Sequence, residues 1–309
     1  MASGGSRDRR RRRLIRLITL SIAAAVATIA LKVTAWLLTD SVGLLSDAAE
    51  SLVNLVAALI ALSVILWSTR PPDEEHAYGH EKADYLSAGF EGALILAAAV
   101  TIAWTAIDRL LNPTGLTDVG VGLAISVLAS LINLGVARML VSAGEEEDSL
   151  TLVADGHHLM ADFWTSLGVV AGVGLAWFSG WDALDPIVAL LVAVHIIRTG
   201  YSLVRESMGG LMDRALPVET RQAIDEVLGR HSADSVEFHA LRTRKAGRRA
   251  FISVHVLVPG RWTVQEGHDF VESVEEDLRV AVGHATVFTH LEPIEDPVSF
   301  HDTELDRLE

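Results

Sequence analysis

Asp155-Gly156-His157-His158-Leu159-Met160-Ala161-Asp162 lies near the start of an apolar run that extends from Leu150 to Phe178. On a helix His158 and Asp162, four residues apart, share one face, one turn above the other. The run is long enough to cross a bilayer, which needs ~20 predominantly apolar residues. Ionisable groups inside such a segment are costly and mark a functional site. A second polar trio, Asp47, Glu50 and Asn54, interrupts the apolar run Val42–Trp67 at spacings of three and four, again one helical face. Two helices that each present a pair of nitrogen or oxygen donors make a four-ligand site for a divalent metal. The alternative is a set of inter-helix hydrogen bonds that fasten a bundle. Asn54 alone fits that alternative. Two carboxylates with a histidine favour the metal, because each charge needs a partner or a bound ion. Asp47, one turn below Glu50, reads as a residue of the exit path. His157 is about 100° around the helix from His158 and faces elsewhere.

The composition agrees with a membrane protein that carries a polar appendage. The chain has 309 residues, 50% of them hydrophobic, and a mean hydropathy of +0.35. Cysteine is absent, which excludes disulfides and thiolate metal sites. A formal net charge of −15 argues against nucleic acid as a partner. Arg7 and Arg9 to Arg13 nevertheless form a basic arm. The apolar run behind the arm, Leu14–Leu38, is longer than a signal-peptide core and shows no small-residue cleavage site. The arm is therefore read as a signal that holds the N-terminus in the cytoplasm.

Six runs have membrane length: Leu14–Leu38, Val42–Trp67, Tyr85–Leu110, Val119–Val141, Leu150–Phe178 and Ala183–Met208. Six spans that begin in the cytoplasm also end there. The expected outer loops, residues 39–41, 112–118 and 179–182, contain no Lys or Arg. The inner segments carry the arm, Arg70, Lys82, Arg198 and Arg205, as the positive-inside rule requires. Lys32 inside the first run is read as snorkelling to the outer interface. His195 in the sixth reads as a packed, hydrogen-bonded histidine. Gly168, Gly172 and Gly174 permit close helix packing.

After Gly209-Gly210 the pattern changes. Pro217 opens a helix that runs to about Gly229. Ser235–Arg242 and Ala250–Val258 read as strands joined by a turn at Gly247, with Ile252, Val254, Val256 and Val258 on one apolar face. Thr263 with Glu266 forms a capping box for a helix to about Val282. Ala285–Leu291 is a third strand. The order αββαβ makes a small two-layer α+β domain. The expected organisation is a basic arm over 1–13, a six-helix transmembrane domain over 14–208, the α+β domain over 209–295, and a loose acidic tail over 296–309.

Two further clusters offer metal ligands. In the loop between the second and third runs, Asp73, His76 and His80 stand at short spacing. A metal site and a plain solvated loop are both open readings. The α+β domain holds His239, His255, His268 and His290 with Glu292. His290 and Glu292 are two apart on a strand and share a face, and His255 points away from the apolar face. Three histidines and a carboxylate suit a zinc-like ion; scattered surface histidines are the alternative. No cysteine nucleophile, complete zinc-protease motif or phosphate loop is present, so an enzyme is not expected.

The chain resembles the cation diffusion facilitator family of divalent-metal/proton antiporters, of the bacterial type with a cytoplasmic C-terminal domain. The residues that carry the resemblance are Ser41-Val-Gly-Leu-Leu-Ser-Asp-Ala-Ala-Glu50-Ser-Leu-Val-Asn54, His76-Ala-Tyr-Gly-His-Glu-Lys82, His158-Leu-Met-Ala-Asp162, Asp185-Pro186, Leu211-Met-Asp213-Arg-Ala-Leu-Pro217 and Phe238-His-Ala-Leu-Arg-Thr-Arg244. The resemblance implies six transmembrane helices, then a ferredoxin-like, metallochaperone-like αββαβ domain, assembled as a homodimer in the cell membrane with both termini cytoplasmic. It implies a transport site of Glu50, Asn54, His158 and Asp162. It implies a loop site at Asp73, His76 and His80, and cytoplasmic sites at His239, His255, His268, His290 and Glu292. It also implies a salt bridge between Lys82 and Asp213 that ties the two domains. Glu292 stands where related members carry Asp. Glu50 with Asn54 departs from the His or Asp followed by Asp of zinc members. The extra oxygen character admits manganese, iron(II) or magnesium beside zinc.

The function expected is efflux of a divalent cation, zinc first, in exchange for protons by alternating access, with regulation by metal on the cytoplasmic domain. The partners expected are the metal, protons, membrane lipid and a second copy of the chain, and no nucleic acid. The rival is a membrane-tethered metal sensor that does not transport. It would need the cytoplasmic histidines but not Asp162.

Overall fold

A helix occupies each of the six apolar runs in the computed structural model, which describes residues 3–39, 42–112, 120–181, 183–232 and 235–301, with the fourth helix starting at Gly120 and the sixth at Leu184. The helices are α1 (Ser3–Thr39), α2 (Val42–Ser68), α3 (Ala83–Leu111), α4 (Gly120–Glu146), α5 (Leu150–Ser179) and α6 (Leu184–Leu211). Among the described residues, Asp8–Thr34, Ala83–Leu111, Val127–Glu146 and Pro186–Leu211 are long and apolar enough to cross a membrane, and Asn54–Ser68 is a shorter apolar stretch. The chain divides into two compact units, residues 1–208 and 209–309.

In the first unit one core joins four helices. Leu14 and Ile18 of α1 pack with Ala61 and Ile65 of α2, Val136 and Leu140 of α4, and Leu152 and Leu159 of α5. Two close crossings depend on glycine. A methyl on Gly156 of α5 would lie 3.0 Å from the Ala137 carbonyl oxygen of α4. A methyl on Gly92 of α3 would lie 3.1 Å from the Gly200 carbonyl oxygen of α6. Without hydrophobic exclusion of water to drive helices together in lipid, such close approach supplies the packing. The basic arm is not a separate segment: α1 begins at Ser3 and is continuous through it. Arg10 donates to the Glu147 carbonyl oxygen at 2.6 Å, and Arg13 pairs with Glu146 at 2.6 Å and Glu147 at 2.8 Å. The arm and the acidic α4–α5 loop thus occupy the same end of the unit.

Two expectations inside the helices are corrected. Lys32 does not snorkel: it is buried and donates to Ser51 Oγ of α2 at 2.7 Å. A neighbouring hydroxyl satisfies the ammonium within the bundle, so it need not reach the interface. His195 is not packed in the interior. It is exposed on α6, with its ring edge against Trp164 at 5.4 Å.

The second unit is α7 (Val218–His231), β1 (Glu237–Ala246), β2 (Arg249–Val258), α8 (Val264–Val282) and β3 (Ala285–Pro293). The sheet order is β1-β2-β3; β1 runs antiparallel and β3 parallel to β2. The alternation read in the sequence is realised. Ile252, Val254, Val256 and Val258 are buried against Ile224 and Val227 of α7 and Val271, Val274 and Leu278 of α8. Each such side chain contributes about 1.5–3 kcal/mol on burial. Gly247, at φ +54°, turns the β1–β2 hairpin. The capping box forms: Thr263 Oγ1 accepts from the Glu266 N–H at 3.2 Å, and Glu266 Oε2 accepts from the Thr263 N–H at 2.7 Å. These bonds hold the Glu266 carboxyl below its ordinary range. The start of the tail is ordered, not loose. A 3-10 turn covers Pro297–Phe300, and buried Ser299 donates to the Pro293 carbonyl oxygen at 2.8 Å. Residues 302–309 lie outside those described.

Candidate metal centres

The first centre joins α2 to α5. His158 Nε2 lies 2.6 Å from Asn54 Oδ1, and the Asn54 amide Nδ2 donates to Asp162 Oδ2. The i,i+4 spacing brings His158 and Asp162 to one side of α5, and Asn54 bridges them. Asn54 and His158 are buried and Asp162 is half-buried. The amide satisfies one donor and one acceptor across two helices, which is how a polar group is retained among apolar ones. His158 Nε2 donates to Oδ1 in the tautomer that places the hydrogen there. A cation at that nitrogen requires the hydrogen to move to Nδ1 or leave. Glu50 and Asp47 lie on α2, and their side chains are outside those described. His157 is half-buried on α5.

The second centre is in the α2–α3 loop. Asp73 Oδ1 lies 3.3 Å from His76 Nδ1, and Asp73 Oδ2 lies 3.2 Å from His80 Nε2. One donor atom from each falls within 4.8 Å of the others. The two imidazoles stand 4.5 Å apart beside the Trp67 ring. The backbone N–H of His76 donates to Asp73 at 2.7 Å and holds that carboxyl below its ordinary range. The loop therefore keeps an anion between two histidines, with His80 buried and Asp73 and His76 exposed.

The third centre is a row across the cytoplasmic sheet. His239 pairs in register with His255, and His255 with His290, so β1, β2 and β3 each present one histidine at the same level. Glu292 is buried under them. Its Oε2 lies 3.0 Å from His239 Nε2 and 3.4 Å from His255 Nδ1, and its Oε1 lies 3.7 Å from His290 Nδ1. Donor atoms of His239, His255 and Glu292 fall within 4.8 Å of one another. The β1 register shifts after His239, and Ala240 adopts φ +51°. A left-handed non-glycine residue costs roughly 1–3 kcal/mol and is found where a side chain must be re-aimed. Phe300 closes one edge, 6.0 Å from the His239 ring. His268 does not join the cluster; it is exposed on α8. Lys82 stands at the start of α3, and Asp213 pairs with Arg244 at 3.5 Å; each is described in its own unit.

Sequence reading passed over two buried carboxyls of the first unit. Glu91 lies within the third apolar run and Asp155 within the quoted stretch, and both are buried. The rule that singled out Asp162, an ionisable group inside a membrane-length segment, also applies to Glu91.

The cation efflux transmembrane domain model matches residues 18–212, and the model for the cytoplasmic domain of cation efflux proteins matches residues 216–294. The chain belongs to the cation diffusion facilitator family, with a C-terminal cytoplasmic domain. It is 47% identical over 281 residues to the uncharacterized transporter sll1263 of Synechocystis sp., covering 91% of each chain. It is 30% identical over 287 residues to the cation-efflux pump FieF of Salmonella arizonae, covering 93% of this chain and 94% of that one. Among solved structures, the metal-bound C-terminal domain of the CzcD transporter from Thermotoga maritima is 23% identical, with a TM-score of 0.24, over 26% of this chain and 93% of that one. The family consists of transporters, not enzymes, and the protein is a multi-pass membrane protein of that family.

Proposed function

We propose that this protein exports a divalent metal cation in exchange for protons, by alternating access, as a homodimer in the cell membrane. The observation that carries the reading is the Asn54–His158–Asp162 trio, built from two helices inside the apolar domain. Glu50 on α2 completes the proposed ligand set, one turn from Asn54. A histidine ligand binds metal only through a free nitrogen lone pair, so cation and proton compete for it. That competition lets a proton gradient drive cation out. Six spans with both termini cytoplasmic are supported by the ion pairs between the arginine arm and the α4–α5 loop, which lie on one side together.

Zinc is the cargo proposed first. The oxygen-rich set admits manganese or iron(II) as well, because Asn54 supplies an amide where a second carboxylate would add charge. The cytoplasmic row of His239, His255 and His290 over Glu292 is proposed as a regulatory metal site. Metal there biases transport only if it binds one state of the transporter more tightly than the other. The loop trio Asp73, His76 and His80 is proposed as a third binding position. A Lys82–Asp213 bridge between the domains remains part of the same proposal.

The test is metal flux in proteoliposomes that hold a pH gradient, with zinc, manganese, iron(II) and magnesium, for the wild type and Asp162→Ala. Gradient-dependent flux of one cation that vanishes in the variant is the expected result. No flux with any cation, alongside metal binding by the cytoplasmic unit, would favour the sensor reading and overturn this one.

A further inference from the structure

The membrane domain buries a second pair of carboxyl groups that the metal ligands do not include. Glu91 of α3 has 0% of its surface exposed and Asp155 of α5 has 1%. Their surroundings are apolar. Ala88, Ile95 and Ala99 of α3 pack with Ala154 of α5 and with Ile196 and Leu203 of α6 in one cluster. The polar groups nearby are few. Ser87 Oγ donates to Glu91 Oε1 at a long 3.4 Å. Ser21 of α1 stands beside Asp155 without closing a full hydrogen bond. Glu91 Oε2 and Asp155 Oδ2 each lack a hydrogen-bond partner among the described residues.

The charged groups that act on this pair are equally few. Asp155 lies on α5 next to Ala154, which packs with Ala88, Ile95 and Ala99 around Glu91 on α3, and His158 follows Asp155 one turn along the same helix. From α3 and α1 the other polar groups beside them are the hydroxyls of Ser87 and Ser21, and no Lys or Arg forms an ion pair with either carboxyl among the described residues. Two buried carboxylates in an apolar setting without an ion-pair partner are costly to ionise together. A bound proton relieves that cost. The unpartnered oxygens are where that proton can sit.

Position gives the pair a use. Asp155 precedes His158 by three residues on the same face of α5, a rise of about 4.5 Å. A divalent cation at the His158–Asp162 site therefore brings positive charge within a turn of the pair. That charge stabilises a second ionisation, and the proton passes to water on the side from which the cation entered. When the cation leaves, two like charges again face each other without compensation and a proton is recaptured. The O–H bond that breaks on loading re-forms on release, and no other bond changes.

We propose that Glu91 and Asp155 form a proton-holding pair, separate from the metal ligands, that carries one of the protons exchanged for each cation. The inference rests on the proton-exchange reading above. The test uses the full chain in proteoliposomes with zinc, and manganese as a second cation. A pH dye and a metal dye together read protons moved per cation, for the wild type, Glu91→Gln and Asp155→Asn. Both variants mimic the protonated acid and preserve shape. The expected result is calorimetric metal binding within a few-fold of wild type, and a proton count lower by about one per cation. A wild-type proton count in both variants would overturn the inference and show a structural acid. Loss of metal binding in both would also overturn it, since the pair would then belong to the cation site. Cation flux without proton counter-flow in the wild type would instead overturn the exchange reading itself.

Discussion

The membrane centre and the cytoplasmic centre use the same donor chemistry but are assembled by opposite means. In α5 a helical repeat brings His158 and Asp162 together four residues apart, and one amide from α2 bridges them. In the cytoplasmic unit three strands contribute one histidine each, and the donors come from positions as far apart as His239 and Glu292, 53 residues. The first centre sits among apolar helices, where any unpartnered charge is expensive. The second lies on the open face of a sheet, with Glu292 buried and His290 exposed. The difference teaches that a helical site is fixed by local spacing, whereas a sheet site is fixed by register. The helical site is the harder of the two to change without loss of function.

The largest expected effect breaks the comparison outright. Asp162→Ala should reduce metal flux to background, whereas Glu292→Ala should leave flux measurable and abolish metal binding by the cytoplasmic unit. Flux and calorimetry on both variants check this. Equal loss of flux in the two would mean that the centres are not separable.

Asn54→Asp should act in the opposite direction. A second charge at the bridge adds an ionic ligand, and divalent binding should tighten by about tenfold. Competition among zinc, manganese and iron(II) would show whether selectivity moves with it. Unchanged affinity would remove Asn54 from the ligand set.

A smaller effect is expected from His255→Ala, the central member of the strand row. Metal should then raise the melting temperature of the cytoplasmic unit less than in wild type, and activation of transport should need more metal. Identical activation curves would argue against the regulatory role.

The smallest effects concern the α8 cap. Thr263→Ala should destabilise the cytoplasmic unit by about 1 kcal/mol. The Glu266 carboxyl is held below its ordinary range by the Thr263 N–H and hydroxyl. Its contribution is therefore full above the ordinary carboxylate range and is lost as pH falls through the lowered folded-state value. Thermal melts of wild type and Glu266→Gln should differ at neutral pH and converge in acid. A gap that persists in acid would assign the effect to shape, not charge.

Much of the architecture was legible along the chain. The six apolar runs each hold a helix, and four of the described stretches are long and apolar enough to cross a membrane. The apolar alternation of β2 and the Thr263–Glu266 box were likewise local signals, and both formed as read. Lys32 was misread because hydropathy does not reveal that Ser51 of the next helix lies within reach. His195 was misread because a period of 3.6 residues does not say which face meets a neighbour.

By itself, the sequence determined which segments are helical, which residues share a helix face, and that His158 and Asp162 must lie together, since all of these follow from short-range geometry. Tertiary structure alone decided that Asn54 clasps both of them. It also decided that His239, His255 and His290 fall in one row while His268 does not, and that Glu91 of α3 and Asp155 of α5 are both buried. Each of these depends on helix crossing or strand register, set by packing between segments distant in the chain, and spacing along one segment carries no record of it.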